Sequence, residues 1–162
     1  MSRTLAIGDI HGGLKALEQV FERAAVNATD RLIFVGDYVD GWSQSAPVID
    51  FLLNLKQECI FIKGNHDIWC EQSLYSGYAD KTWLAHGGKE AVESYRHITA
   101  SQKEKHLHFF ATLELYHVDP QNRLFIHGGF TAGDGPENEP DALAFTIDRT
   151  LWKNALACQC EF

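Results

Sequence analysis

Four short clusters in this chain set carboxylate, imidazole or amide side chains beside glycine at the mouth of an apolar run: Gly8-Asp9-Ile10-His11-Gly12, Gly36-Asp37-Tyr38-Val39-Asp40-Gly41, Gly64-Asn65-His66-Asp67 and His127-Gly128-Gly129. A short β-rich run that stops at glycine reads as a buried strand. Leu5 to Ile7 is such a run, and Leu14, Leu17, Phe21 and Ala24 follow it at helical spacing before Leu32 to Val35 makes a second run. That is one βαβ unit. Pro47 then opens a helix marked by Val48, Phe51, Leu52 and Leu55, and Ile60 to Ile62 supplies a third strand before Gly64. The expected fold class is therefore α/β with a parallel sheet. Because open α/β sheets carry ligands at the carboxyl ends of their strands, the first three clusters should converge on one crevice. Oxygen and imidazole donors in such numbers suit hard or borderline divalent cations such as Mn²⁺, Fe²⁺ or Zn²⁺.

The rest of the chain supports this reading. Ser101 with Glu104 reads as a capping box, and Leu107, Phe109 and Phe110 form an apolar face running to Leu113. Leu115 to Val118 and Leu124 to Ile126 flank the turn signal Asp119-Pro120-Gln121-Asn122, so a hairpin should bring His127 to the site. Residues 131–140, rich in Gly, Pro and acidic groups, read as a surface loop. Asp67 is expected to cap the helix that follows it. His106 and His108 lie two apart on a helix and point to different faces, while His86, His97 and His117 have no clustered partners and read as structural or solvated. Trp42, Trp69, Trp83 and Trp152 read as core aromatics.

Composition limits the partners. A single domain spanning residues 1–162 is expected, long enough to bury roughly 70% of its unfolded-chain surface. Its formal net charge of −8 disfavours a nucleic-acid partner held by counterion release. No apolar run reaches the length of a membrane span and no signal-peptide progression is present, so no membrane association is expected and the cytoplasm is the expected compartment. The four cysteines form no disulfide framework, and the Cys158-x-Cys160 pair is a poor zinc signal.

The first three clusters, in this order and spacing, resemble those of the calcineurin-like metallophosphoesterases, and more closely the phosphoprotein (serine/threonine) phosphatase branch with its bacterial relatives. The stretch Trp83-Leu84-Ala85-His86-Gly87-Gly88 followed by Ser94-Tyr95 is similar to one found in bacterial members. The resemblance runs from Ile7 to about Trp152. It implies a sandwich of two mixed β-sheets flanked by helices, and a phosphatase that uses two divalent metal ions, Mn²⁺ before Fe or Zn, to activate water for in-line attack on a phosphoprotein or small phosphoester. It implies Asp37 as the bridge between the metals, Asp9 and His11 on the first metal, and Asn65 and His127 on the second, with the Asn65 amide also reaching the phosphate. His66 matches the family's general acid and Asp40 the carboxylate that orients it.

Two departures accompany the resemblance. The family usually carries a phosphate-binding arginine where this chain has Gly41. Lys63 is the nearest candidate for that positive charge, although a lysine is a point charge rather than a planar fork. The family also closes its second metal with a later Gly-His histidine, and the sequence reaches Phe162 without one, so the chain is expected to be C-terminally incomplete or to hold its second metal weakly. The alternatives are a dinucleoside polyphosphate hydrolase and a catalytically impaired metal-binding module.

Overall fold

In the computed structural model, which describes residues 3–157, the three apolar runs form β1 (Thr4–Ile7), β2 (Arg31–Phe34) and β3 (Glu58–Phe61), hydrogen-bonded in parallel in the order β1-β2-β3. β2 lies in the middle, with Leu32, Ile33 and Phe34 fully buried, because a strand covered on both faces is apolar throughout rather than alternating. β1 is an edge strand and alternates between exposed and half-buried residues. The register sets Ile7 beside Phe34 and Phe34 beside Phe61, so the segments that leave the carboxyl ends of all three strands start level with one another.

Helices α1 (Leu14–Arg23), α2 (Ser45–Leu53) and α3 (Asn65–Ser76) follow the three strands. Helix α2 begins at Ser45, so Pro47 sits in its first turn, where a missing N–H costs nothing. Next come α4 (Lys81–Trp83), a broken turn over Leu84–Gly88, α5 (Lys89–Tyr95) and α6 (Ala100–Ala111). The expected capping box at Ser101 and Glu104 is displaced by two residues. Thr99 is the cap: its hydroxyl accepts from Gln102 N at 3.2 Å while Gln102 Oε1 accepts from Thr99 N at 3.0 Å. Ser101 lies inside the first turn.

The core joins the sheet to α6. Phe34 stacks on Phe61 with centroids 5.0 Å apart, Tyr38 meets Phe109 edge-on at 5.5 Å, and the Tyr38 hydroxyl donates to Ile62 O at 2.7 Å. His106 is buried between the Tyr95 hydroxyl at 3.1 Å and Asp50 at 3.0 Å, a structural position, and His108 points to solvent. The tryptophans divide. Trp83 is buried and Trp69 half-buried, but Trp42, on the loop before α2, and Trp152 are 70% and 64% exposed, contrary to the core reading.

The second sheet is the antiparallel hairpin β4 (Tyr116–Val118) and β5 (Leu124–Ile126), linked to the end of β3 by a bridge between Ile62 and Glu114. Asp119 closes its turn by accepting from Gln121 N and Arg123 N, each at 2.9 Å. Residues 131–140 form the expected loop, tied across its base where Glu139 accepts from Ala132 N at 3.1 Å. Then follow α7 (Ala144–Ile147) and α8 (Thr150–Ala157), the latter opened by Asp148 accepting from Thr150 N at 2.9 Å. This is an α/β arrangement of two sheets with flanking helices, and each sheet is of one kind, parallel or antiparallel. No helix among the described residues is long and apolar enough to cross a membrane. Cys158 and Cys160 lie outside the described residues; Cys59 and Cys70 are free thiols.

Candidate active site

The loops beyond β1, β2 and β3 are laced to one another before any side chain is considered. Ile10 N and His11 N both donate to Asp37 O, at 3.0 and 2.9 Å, and Gly12 N donates to Tyr38 O at 2.8 Å. His11, Asp37 and Asp40 all hold left-handed backbone, with φ of 48°, 53° and 74°. Each such residue costs about 1–2 kcal/mol, and three in one crevice persist only because neighbouring bonds hold them. Gly64 is needed for close approach, since a Cβ there would fall on Asp37 Oδ1 and its backbone nitrogen. Asp67 caps α3 through Gly64 N at 2.9 Å, as expected, and it also accepts from Asp37 N and Tyr38 N at 2.9 Å. Burial, with the charge of Asp37 adding to it, pushes the Asp67 carboxyl up to about 8 against the pull of these donors.

Hydrogen bonds to carbonyl oxygens fix two histidine tautomers, because a carbonyl can only accept. His11 Nδ1–H donates to Val39 O at 3.0 Å and His127 Nδ1–H to Val35 O at 2.8 Å. In the neutral rings each Nε2 then carries a lone pair. Those two nitrogens lie 3.7 and 3.4 Å from the same oxygen, Asp37 Oδ2, and His127 Nε2 lies 3.2 Å from Asn65 Oδ1. Lone pairs facing carboxylate and amide oxygens repel unless a proton or a metal cation lies between them. The donor set therefore fits divalent metal. Asp9, half-exposed, has its Oδ2 4.0 Å from His11 Nε2 at the rim. Among the described residues, donor atoms of His11, Asp37 and His66 come within 4.8 Å of one another.

His66 sits at the start of α3, with its backbone N donating to Asp37 Oδ1 at 3.0 Å and its Nδ1–H to Asp40 Oδ2 at 2.7 Å. Burial disfavours the imidazolium most strongly of the single influences. The hydrogen bond that His66 donates to Asp40 and the charges of Asp37, Asp40 and Asp67 together outweigh it, and the His66 pKa is raised. Sequence reasoning missed one member of this group: Trp83 Nε1–H donates to the same Asp40 oxygen at 2.6 Å. Its signal was the Trp83 to Gly88 stretch, but nothing in the sequence pairs that stretch with Asp40. Gly41, where the family carries arginine, has φ of 70° and gives its N–H to Gly87 O at 3.1 Å. The Lys63 ammonium lies 2.9 Å from Glu71 on α3, so much of its charge is already paired.

The sequence profile of the calcineurin-like phosphoesterases matches residues 2–156. Over 140 residues the chain is 29% identical to the bis(5'-nucleosyl)-tetraphosphatase PrpE (asymmetrical) of Bacillus thuringiensis (strain Al Hakam), covering 76% of this chain and 56% of that one. Over 66 residues it is 39% identical to the symmetrical bis(5'-nucleosyl)-tetraphosphatase of Pseudomonas putida (strain GB-1), covering 40% of this chain and 23% of that one. The chain thus aligns with just over half of one relative and under a quarter of the other. A solved protein serine/threonine phosphatase from Saccharomyces cerevisiae, with similarity to human phosphatase PP5, superposes with a TM-score of 0.61 at 15% identity, over 91% of this chain and 51% of that one. At that identity the likeness is one of fold. Matched by the profile along almost all of its length, the chain belongs to the calcineurin-like phosphoesterase family.

Proposed function

We propose that the chain is the core of a metal-dependent phosphoester hydrolase. The observation that carries this reading is the convergence of His11 Nε2 and His127 Nε2, 3.7 and 3.4 Å away, on one buried oxygen of Asp37. In this reading Asp37 would be shared between two divalent cations, with Asp9 and His11 holding the first and Asn65 and His127 the second. Mn²⁺ is the first metal to test, with Fe and Zn next. When bound, such a pair polarises the phosphoryl group and lowers the pKa of the attacking water.

The chain's own residues supply the other half of the chemistry. As water oxygen bonds to phosphorus and the bond to the leaving oxygen breaks, His66 gives that oxygen the proton from Nε2, and Asp40 stabilises the ring in its charged and then its neutral form. In the same reading the Asn65 amide N–H would hold a phosphoryl oxygen. The Lys63 ammonium is paired with Glu71 and Gly41 carries no guanidinium, so neither position supplies a bidentate fork to the phosphate. The free thiols of Cys59 and Cys70 suit the reducing cytoplasm as the compartment.

For substrate, the names of the two bacterial relatives favour a dinucleoside tetraphosphate. A phosphoprotein has the fold likeness alone behind it. The test is hydrolysis of diadenosine tetraphosphate, a phosphoserine peptide and an aryl phosphate with Mn²⁺, Fe²⁺ or Zn²⁺ added. Metal-dependent turnover, abolished by EDTA and strongest on the dinucleotide, is expected. Tight metal binding with no turnover of any phosphoester would overturn the hydrolase reading in favour of a metal-binding module.

A further inference from the structure

Asp40 is fully buried and presents one oxygen to two donors. His66 Nδ1 lies 2.7 Å and Trp83 Nε1 2.6 Å from Oδ2, while Oδ1 is buried with no hydrogen-bond partner among the described residues. A carboxylate held by one donor can rotate about its Cβ–Cγ bond and exchange oxygens. Two donors converging on Oδ2 from different elements resist that rotation. The indole is a donor only, so it cannot compete with Asp40 for the His66 proton.

The surrounding architecture places the indole there. Trp83 ends α4 and is 2% exposed. Gly88 lies against its ring, and a Cβ on Gly88 would strike the indole 2.5–2.7 Å away. The same broken turn holds the Asp40 loop from a second point, where Gly41 N donates to Gly87 O. The stretch Trp83 to Gly88 therefore braces the Asp40–Gly41 turn by one side-chain and one backbone bond.

We propose that Trp83 is a positioning residue of the acid step: its indole N–H fixes the Asp40 carboxylate in the orientation that aligns His66 with the leaving oxygen. This role rests on the hydrolase reading above. Removing the indole N–H leaves the cations' donor set and the nucleophile side untouched, so its effect should follow the basicity of the leaving group.

The test uses Trp83→Phe and, because loss of a buried indole can loosen the fold, a second variant carrying 3-benzothienylalanine at position 83, which keeps the ring shape and replaces N–H with sulfur. In both, kcat on an alkyl phosphate should fall about 10-fold, short of the roughly 10²–10⁴ carried by a general acid itself. On a nitrophenyl phosphate kcat should stay within about twofold, since that leaving group needs little protonation. KM and bound metal should be unchanged. Independently of turnover, ¹⁵N NMR of the indoles should show the Trp83 N–H as a downfield, slowly exchanging signal that moves in Asp40→Asn. Equal losses on both esters in an active parent, or a Trp83 signal indifferent to Asp40→Asn, would overturn the positioning role. A parent inactive on every phosphoester would overturn the hydrolase reading and this role with it, and the NMR contact would then stand as a structural one.

Discussion

Asp37 divides its two oxygens between different tasks. Oδ1 accepts the His66 backbone N–H at 3.0 Å, and Oδ2 is the oxygen that both His11 and His127 face. Asp37 would be the ligand shared by both cations, and Asp37→Asn should then lower the occupancy of both metal sites. His11→Ala should leave roughly one of two cations, because only the bridge is shared. Elemental analysis after dialysis decides between them, and equal metal in Asp37→Asn and the parent would end the bridging role. The acid has its own signature: His66→Asn should cost on the order of 10²–10⁴ in kcat on an alkyl phosphate and clearly less on a nitrophenyl ester. Equal slowing of both would make His66 a binding residue. Asp9, His11, Asp37, Asp40, Asn65, His66 and His127 were legible as candidates because each stands just beyond an apolar run, where strand ends converge. Trp83 was not. Forty-three positions separate it from Asp40, and only the packing of α4 brings the two together. The pairing of Lys63 with Glu71 was equally hidden, since it depends on which way a flexible side chain turns.

At the scale of elements, periodicity located all three parallel strands, the helices between them and the hairpin, because burial imposes a different repeat on each. It was weakest where two local patterns compete. Both Thr99-x-x-Gln102 and Ser101-x-x-Glu104 satisfy the capping-box pattern, and local chemistry does not rank them. The fold does, because Ile98 packs against the core and leaves Thr99 extended, with φ −74° and ψ 160°, at the point where the helix must begin. Thr99→Ala should thus cost about 1 kcal/mol of stability, while Ser101→Ala, inside the first turn, should stay within about 0.5 kcal/mol. Urea midpoints of the two variants check this. The reverse order would return the cap to Ser101.

Over the whole molecule, 22 acidic residues face 14 basic ones, so self-repulsion alone would make the chain more stable as acid neutralises its excess charge. Paired carboxylates inside the fold pull the other way. Asp30 is one of these, buried and paired with an arginine: its side chain takes Arg3 Nε at 3.0 Å and Arg3 Nη2 at 2.5 Å, and it accepts from Asn27 N at 3.0 Å. Arg3 also donates to Ala24 O and Ala25 O, each at 3.0 Å, so this cluster ties the residue before β1 to the connection between α1 and β2. The side-chain bond from Arg3, with the Asn27 N–H behind it, holds the Asp30 carboxyl well below the usual carboxylate range. A folded pKa below the unfolded value of about 3.9 means that the folded state binds this proton less readily. The stabilisation is therefore complete above that value and is lost as pH falls toward the folded pKa. Asp30→Asn should lower the Tm at pH 7, and the gap between variant and parent should narrow steadily below about pH 4 as the unfolded parent chain takes up a proton that the folded Asp30 still resists. Thermal melts in EDTA from pH 7 to pH 3 measure it with the metal sites out of play. A gap as wide at pH 3 as at pH 7 would mean that Asp30 acts by shape and neutral hydrogen bonding, and that acid sensitivity arises from other carboxylates, with Asp119 in the hairpin, lowered by Arg123, the next to substitute.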